Sequence, residues 1–389
     1  MRGPTGSVSS RHMAQRATKR GAARTRLGGD WDVLICGASF AGLAVARELQ
    51  GSGARTLIVD RYEIGERQTS ACGIPTSWLE ALGVEDSIQQ TFPDLLVHTP
   101  HGSARWRLPW PFSTFDYRTL CRLLREQGDD AGFETAKIEG RTGEVVHTDR
   151  GDLRAPLIVD ALGWRRVLGA GENVQPPEAL LSRGLEVHPD GRGEDLELWI
   201  DRAYVRAGYA WSFPAGGELR VGVGSFEPRH HVKDQTVQLA EDLSVDAVRY
   251  QGNWIPHRLR PATEDGVFFA GDSAGHCLPT TAEGIRTALY FGLACGRELR
   301  AVHEGRRSRE QALARYHAFS AEHEWKFRWL LRVQDWIPRI PPRLLTRALE
   351  AMEHRGLTRW AFDHYLAIAP PDFASSPRLA APRPAALAA

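Results

Sequence analysis

The sequence predicts an α/β fold: a parallel Rossmann-type domain interrupted by an antiparallel β-rich domain, with a C-terminal helical segment. Three observations predict it. An apolar strand, a glycine turn, a helix and a second apolar strand succeed one another between Asp32 and Asp60, the order of a βαβ unit. Between 176 and 254 the pattern changes to short β-rich runs such as "LELWID" and "ELRVGVGSF", broken by turn residues as an antiparallel sheet requires. At "GVFFAGD" (266–272) a buried-strand pattern resumes, and 305–370 is helical by its spacing. The expected divisions are a basic arm at 1–29, the parallel domain at 30–175 and 255–304, and the β-rich domain at 176–254. The helical region at 305–370 and an Ala- and Pro-rich tail at 371–389 follow. Arm and tail are expected to be disordered.

The first element, "DVLICGASFAGLAVARELQ", places Gly37-x-Ser39-x-x-Gly42 between strand and helix. This is the dinucleotide fingerprint with serine at its middle position. Gly37 permits the tight turn, Gly42 lets helix and strand pack closely, and the small Ser39 lets backbone N–H groups approach a pyrophosphate. Ala38, Phe40 and Ala41 complete the turn and open a helix whose N-terminus favours anions. The next strand, in "ARTLIVDRYEIG", ends at Asp60, where a carboxylate binds ribose hydroxyls, with Arg61 beside it. Strand, turn, helix, strand and terminal acid in register predict a Rossmann-type nucleotide site.

Later segments choose FAD over NAD. "FDYRTLCRLLREQ" (115–127) is an amphipathic helix with Arg118 near its start, available to cofactor phosphates or the ribityl chain. "APLIVDALGWRRVLG" ends a strand at Asp160, followed by Gly163. Gly271-Asp272 then leads through a proline loop to Ala282, Gly284 and Ile285 at a helix entrance. In this order the motifs resemble flavoproteins of the para-hydroxybenzoate-hydroxylase fold. That resemblance implies Asp272 on the ribityl chain and the following helix N-terminus against the pyrimidine edge of the flavin.

Three further stretches resemble the geranylgeranyl reductase family: "EIGERQTSACGIP" (63–75), "GYAWSFPAGGELRVGVGSF" (208–226) and "GDSAGHCLPTTAEGI" (271–285). The resemblance covers roughly residues 31–300, with Ser39 and Ala282 standing where the family has glycine. It implies an FAD-dependent oxidoreductase that reduces isolated C=C bonds of a long isoprenoid chain by hydride transfer from flavin N5. Tyr209, Trp211 and Phe213 alternate at period two and so share one strand face. Core packing is the ordinary meaning of such a stripe; the resemblance makes it a substrate wall. Cys72 is the expected proton donor by family position, with His276 and Tyr209 behind it, and a packed small thiol as the structural alternative.

The 389 residues are 42% apolar and 25% charged with net charge +1, a soluble globular composition. No apolar run approaches the ~20 residues of a membrane span. The five cysteines are scattered without zinc-ligand spacing, so reduced thiols, no metal and a cytoplasmic location are expected. No nucleic-acid partner is indicated, and the oligomeric state is not legible. No second glycine fingerprint follows a strand, so electrons come from transient NAD(P)H or from a small electron-transfer protein. "EWKFRWLLRVQDWIPRIPPRLLTR" carries Trp325, Trp329 and Trp336 near one helical face, with Asp335 the single acid between Lys326 and Arg347. Peripheral membrane contact through 325–347 is one reading, tryptophans packed on the core the other. The rival functions are a flavin monooxygenase acting on an aromatic or polyketide substrate, and a non-catalytic FAD-binding partner protein at a membrane.

Overall fold

The computed structural model describes residues 25–68, 70–171, 176 and 178–375. Its first sheet is the expected parallel one. Val33–Cys36 lies between Leu157–Asp160 and Thr56–Asp60; Gly132–Thr135 extends one side, and Val267–Phe269 with Thr263–Glu264 the other. Every strand pair in it is parallel except the last, Thr263–Glu264 on Val267–Phe269. The central strands are buried along their whole length, which is why they read as continuous apolar runs.

Two helices bring the early and late halves of this domain together. Phe40–Leu49 and Ile285–His303 pack through small residues: a Cβ on Gly292 would lie 2.6 Å from the Ala41 carbonyl oxygen, and one on Gly296 would lie 2.8 Å from that of Val45. Only side-chain-free positions allow backbones this close. The contact carries the loop before residue 285 to the glycine turn made some 240 residues earlier.

The second sheet has eight strands, antiparallel except where Leu196–Trp199 pairs Ile88–Thr99. It is larger than 176–254. Gly73–Pro75, Ile88–Thr99 and Gly102–Phe115 join it, although they fall in the stretch assigned to the parallel domain. Their strand signal is weakened by Pro93, Pro109 and Pro111, which a sheet tolerates here at interruptions of register between Phe92 and Asp94 and opposite them. A small three-stranded sheet, Ile138–Thr142, Val145–Thr148 and Gly151–Arg154, was also not anticipated. Helix Lys233–Asp242 covers one face of the large sheet through Leu239 and Ala240 against Val187, Val221 and Val223.

Helices Arg309–Ala321, Glu324–Trp336, Pro342–Ala351 and Arg355–Leu366 follow. Two boundaries need correction. The tail expected to be disordered from 371 begins with helix Asp372–Ser375, whose Phe373 packs on Tyr290 (ring centroids 4.5 Å apart) and under Arg297. In the arm, Leu27 donates its N–H to the Arg150 carbonyl at 2.8 Å, so 25–29 is docked. The rest of both stretches, 1–24 and 376–389, lies outside the described residues.

Candidate functional site

The early turn is shaped for close approach. Gly37 has φ +114°, and a Cβ there would sit 2.2 Å from the Ala161 carbonyl oxygen. A Cβ on Gly42 would lie 1.9 Å from the Gly37 carbonyl oxygen. Ser39 ends the turn as the N-cap residue of helix Phe40–Leu49, but its hydroxyl points away from the helix to the Tyr117 hydroxyl at 3.2 Å. The first N–H groups of that helix have no intrahelical acceptor. Asp60 accepts from the Ala38 N–H at 2.8 Å and the Tyr62 N–H at 3.0 Å, and burial raises its pKa despite both bonds. Its carboxylate therefore braces the turn as well as ending the strand. Phe40 serves the core, edge-on to Phe115 and Tyr117. Arg61 and Arg118 are exposed; Arg61 lies over the Tyr62 ring, and Arg118 flanks Gly65.

The late loop meets this turn. Gly271, at φ +64°, approaches Ala41 so closely that a Cβ would lie 3.1 Å from that methyl. Asp160, fully buried, accepts from Ser273 Oγ at 2.7 Å and from the N–H groups of Leu162 and Leu168; Ser273 Oγ also reaches the Gly163 carbonyl at 3.0 Å. Asp160 is thus the strut between two strand ends. Asp272 is the opposite case: among the described residues nothing donates a hydrogen bond to its carboxylate. Burial, eased slightly by Arg260, lifts its pKa to about 6. A Cβ on Gly284 would lie 3.2 Å from Cys277 Sγ and 3.6 Å from Asp272 Oδ1, so Asp272, Cys277 and the entrance of helix Ile285–His303 converge.

Strand Gly208–Ala215 supplies the third side. Tyr209, Trp211 and Phe213 are half-buried and alternate with buried Ala210, Ser212 and Pro214. Ala210 enters the core under helix Lys233–Asp242, so the aromatic residues face the other way. The neighbouring Val-Gly-Val-Gly run has a physical role here. Val221 and Val223 fill that core, while a Cβ on Gly222 would overlap the Trp211 indole at 2.3 Å. The glycines form the floor on which the indole lies. Trp211 Nε1 donates to Glu186 at 3.2 Å, and the Tyr209 hydroxyl donates to the Thr281 carbonyl in the late loop at 2.6 Å.

Cys72 is fully buried at φ +54°, and its thiol donates to the Ser70 carbonyl at 3.2 Å. Burial is the chief reason its pKa is raised; Arg220 opposes and Glu186 reinforces the shift. Gln251 Nε2 donates both to the Ser70 carbonyl at 3.4 Å and to Glu186 at 2.8 Å, so a hydrogen-bond chain runs from Cys72 through Ser70, Gln251 and Glu186 to Trp211. His276 does not join this group, and its expected place at the ring is corrected. Its imidazole stacks on Phe291 at 3.7 Å, Nε2 meets Ser320 Oγ at 3.0 Å, and burial drives its pKa well down. It is a core histidine behind the loop.

Sequence reasoning missed two buried ionic groups. Glu186, with His188 and Gln251 on one oxygen, and Arg220, which donates to the Ala71 and Phe115 carbonyls, lie inside the large sheet. A charged residue in the midst of "GLEV" and "ELRVGV" was the available signal. The other is Glu283 with Arg286, three residues apart on one helix entrance.

These residues fit FAD. The tight turn that Gly37 and Gly42 permit leaves the first N–H groups of helix Phe40–Leu49 available to a pyrophosphate, and the Asp272 carboxylate, which receives no hydrogen bond from the described residues, is available to a hydroxyl donor such as the ribityl chain. The family model described as an FAD binding domain matches residues 30–106. Digeranylgeranylglycerophospholipid reductase 3 of Methanosphaera stadtmanae is 25% identical over 366 residues, covering 84% of this chain and 92% of its own. Among solved structures, a geranylgeranyl bacteriochlorophyll reductase-like protein from Thermoplasma acidophilum superposes with TM-score 0.76 at 18% identity, covering 89% of this chain and 98% of that one. PqsL of Pseudomonas aeruginosa, described as a probable FAD-dependent monooxygenase, gives 0.63 at 20% identity, with coverage of 86% and 100%. Fold and site together define the class: an FAD-dependent oxidoreductase. Within that class the chain is similar to the digeranylgeranylglycerophospholipid reductase of Methanosphaera stadtmanae and shares its fold with the Thermoplasma acidophilum protein.

Proposed function

We propose that this protein reduces carbon–carbon double bonds in the prenyl chain of a lipophilic isoprenoid. The observation that carries the reading is the Tyr209–Trp211–Phe213 face: an aromatic wall tied by Tyr209 to the loop between Asp272 and Gly284. The reductase name of the Methanosphaera stadtmanae relative supports the same substrate class. Bound and reduced, FAD supplies a hydride from N5. An isolated double bond offers no polar handle, so the chain's own contribution is apolar burial, worth ~0.8 kcal/mol per CH₂.

The carbon next to the one receiving hydride needs a proton, and we assign it to the Cys72 thiol. Burial keeps that thiol protonated at neutral pH, and Ser70 holds its S–H. After transfer the thiolate regains a proton from water. Tyr209, whose phenol proton goes to the Thr281 carbonyl at 2.6 Å, is the alternative donor. Electrons reach the flavin from transient NAD(P)H or from a small electron-transfer protein; rapid-mixing reduction with each distinguishes the two.

A lipid substrate favours a surface that touches membranes. No helix among the described residues is long and apolar enough to cross one. Trp325, Trp329, Trp336 and Trp360 are 62%, 50%, 53% and 60% exposed, and Arg332, Arg339, Arg343 and Arg347 are exposed beside them. Interfacial tryptophan with cationic residues suits peripheral docking on anionic lipid. The deciding experiment incubates dithionite-reduced protein anaerobically with geranylgeranyl compounds. A product heavier by two hydrogens per bond supports the reading; oxygen incorporation only in air would replace it with a monooxygenase. In single turnover, Cys72→Ala is expected to slow product formation by ~10²-fold with FAD content unchanged, as loss of a proton donor does.

A further inference from the structure

The loop 279–284 is held in an unfavourable shape. Thr280 and Ala282 have φ +70° and +52°, in the left-handed region where a side chain is disfavoured. Non-glycine residues persist there only when their surroundings over-determine them. The surroundings are the C-terminal helices. From Glu324–Trp336, the Gln334 side-chain oxygen accepts the Thr280 N–H at 2.9 Å, and the Leu330 carbonyl accepts the Thr280 hydroxyl at 2.7 Å. From Arg355–Leu366, the Tyr365 hydroxyl donates to Glu283 and meets Thr281 Oγ1 at 2.8 Å. Since the phenol proton goes to the carboxylate, the threonine donates. Arg286, fully buried, grips both oxygens of Glu283 at 2.7 and 2.8 Å and donates to the Leu366 and Ala369 carbonyls.

We propose that Tyr365 and Gln334 are positioning residues for FAD: they hold the loop between Asp272 and Gly284 in its left-handed conformation, and so set the helix entrance that faces the cofactor. Neither residue needs to touch FAD. The inference rests on FAD binding alone, so it stands or falls apart from the choice of isoprenoid substrate.

The test is FAD titration of apo-protein, followed by fluorescence quenching and by the visible spectrum of the bound flavin. Tyr365→Phe and Gln334→Ala should each weaken FAD binding by about tenfold, the equivalent of one lost left-handed restraint. Ala282→Gly alone sets the reference affinity for the rescue, because glycine adopts this φ unaided. Ala282→Gly in the Tyr365→Phe background, and Thr280→Gly in the Gln334→Ala background, should each restore most of the lost affinity, because each glycine sits where a brace was lost. That rescue separates positioning from packing, since removing a side chain cannot repair a merely destabilised core. Parental affinity and spectrum in both single variants would overturn the proposal. So would weakened binding that the matching glycine leaves unrepaired. If Tyr365→Phe fails to fold, Gln334→Ala with and without Thr280→Gly decides by the same criterion.

Discussion

The two loops that meet at the cofactor site are built on different principles. The early turn, 37–42, is a backbone structure: positive φ at Gly37, carbonyls at contact distance and a short hydroxyl between. The late loop, 271–284, has glycine at its ends and side-chain-bearing residues in its strained middle, braced from outside by Gln334, Tyr365, Arg286 and Tyr209. The first makes its shape from glycine. The second borrows its shape from helices 50 to 80 residues further on.

Substitutions can break this contrast, starting with the largest effect. Gly37→Ala forces a Cβ into a carbonyl on a rigid strand end, with no side chain able to yield. Loss of more than ~4 kcal/mol is expected, seen as colourless or insoluble protein. In the late loop the comparable injury is removal of one ion. Arg286→Met leaves the largely buried Glu283 carboxylate without its counter-ion, at about 3–5 kcal/mol in urea unfolding, and adding Glu283→Gln should recover part of it.

Asp272 sharpens the comparison by pH. Its folded pKa, about 6, lies above the ordinary 3.8, so the folded apo-protein holds this proton more tightly than the unfolded chain. That contribution is complete below pH ~4 and is lost as pH rises through 6. Asp272→Asn should therefore match the parent apo-protein at pH 4 and exceed its stability by roughly 2 kcal/mol at pH 7. The same variant should bind FAD more weakly. A stability gain with undiminished FAD binding would remove Asp272 from the site.

The smallest effect on folding is expected at the far side of the same helices. Trp325→Ala with Trp329→Ala should shift unfolding by less than ~1 kcal/mol, because both rings are exposed. Co-sedimentation with anionic vesicles should fall markedly. Equal sedimentation of variant and parent would leave the tryptophan face without a membrane role.

Much of the site was legible in order along the chain. The turn at Gly37–Gly42, the strand ends at Asp60 and Asp160, and the Gly271-Asp272 junction each carry a local pattern that geometry enforces. Tyr209, Trp211 and Phe213 share a face because a strand alternates. His276 was misplaced for an equally physical reason. A histidine two residues past Asp272-Ser273-Ala274 belongs to the right loop, but the direction of its ring depends on Phe291 and Ser320, which no local pattern reveals. The proline-interrupted strands at 88–115 were missed because local propensity argued against pairings that the long hairpin itself supplies.

What the amino-acid order determined alone is the set of positions where only a small residue or a terminal carboxylate serves: steric limits on φ and strand period act within a few residues. What the tertiary structure decided is which charges are paired, where the aromatic faces turn and how residues 280 and 282 endure their backbone angles. Those outcomes depend on contacts between segments far apart in the chain, such as Tyr365 with Glu283 and Gln334 with Thr280, and come into being only when the C-terminal helices close on the loop.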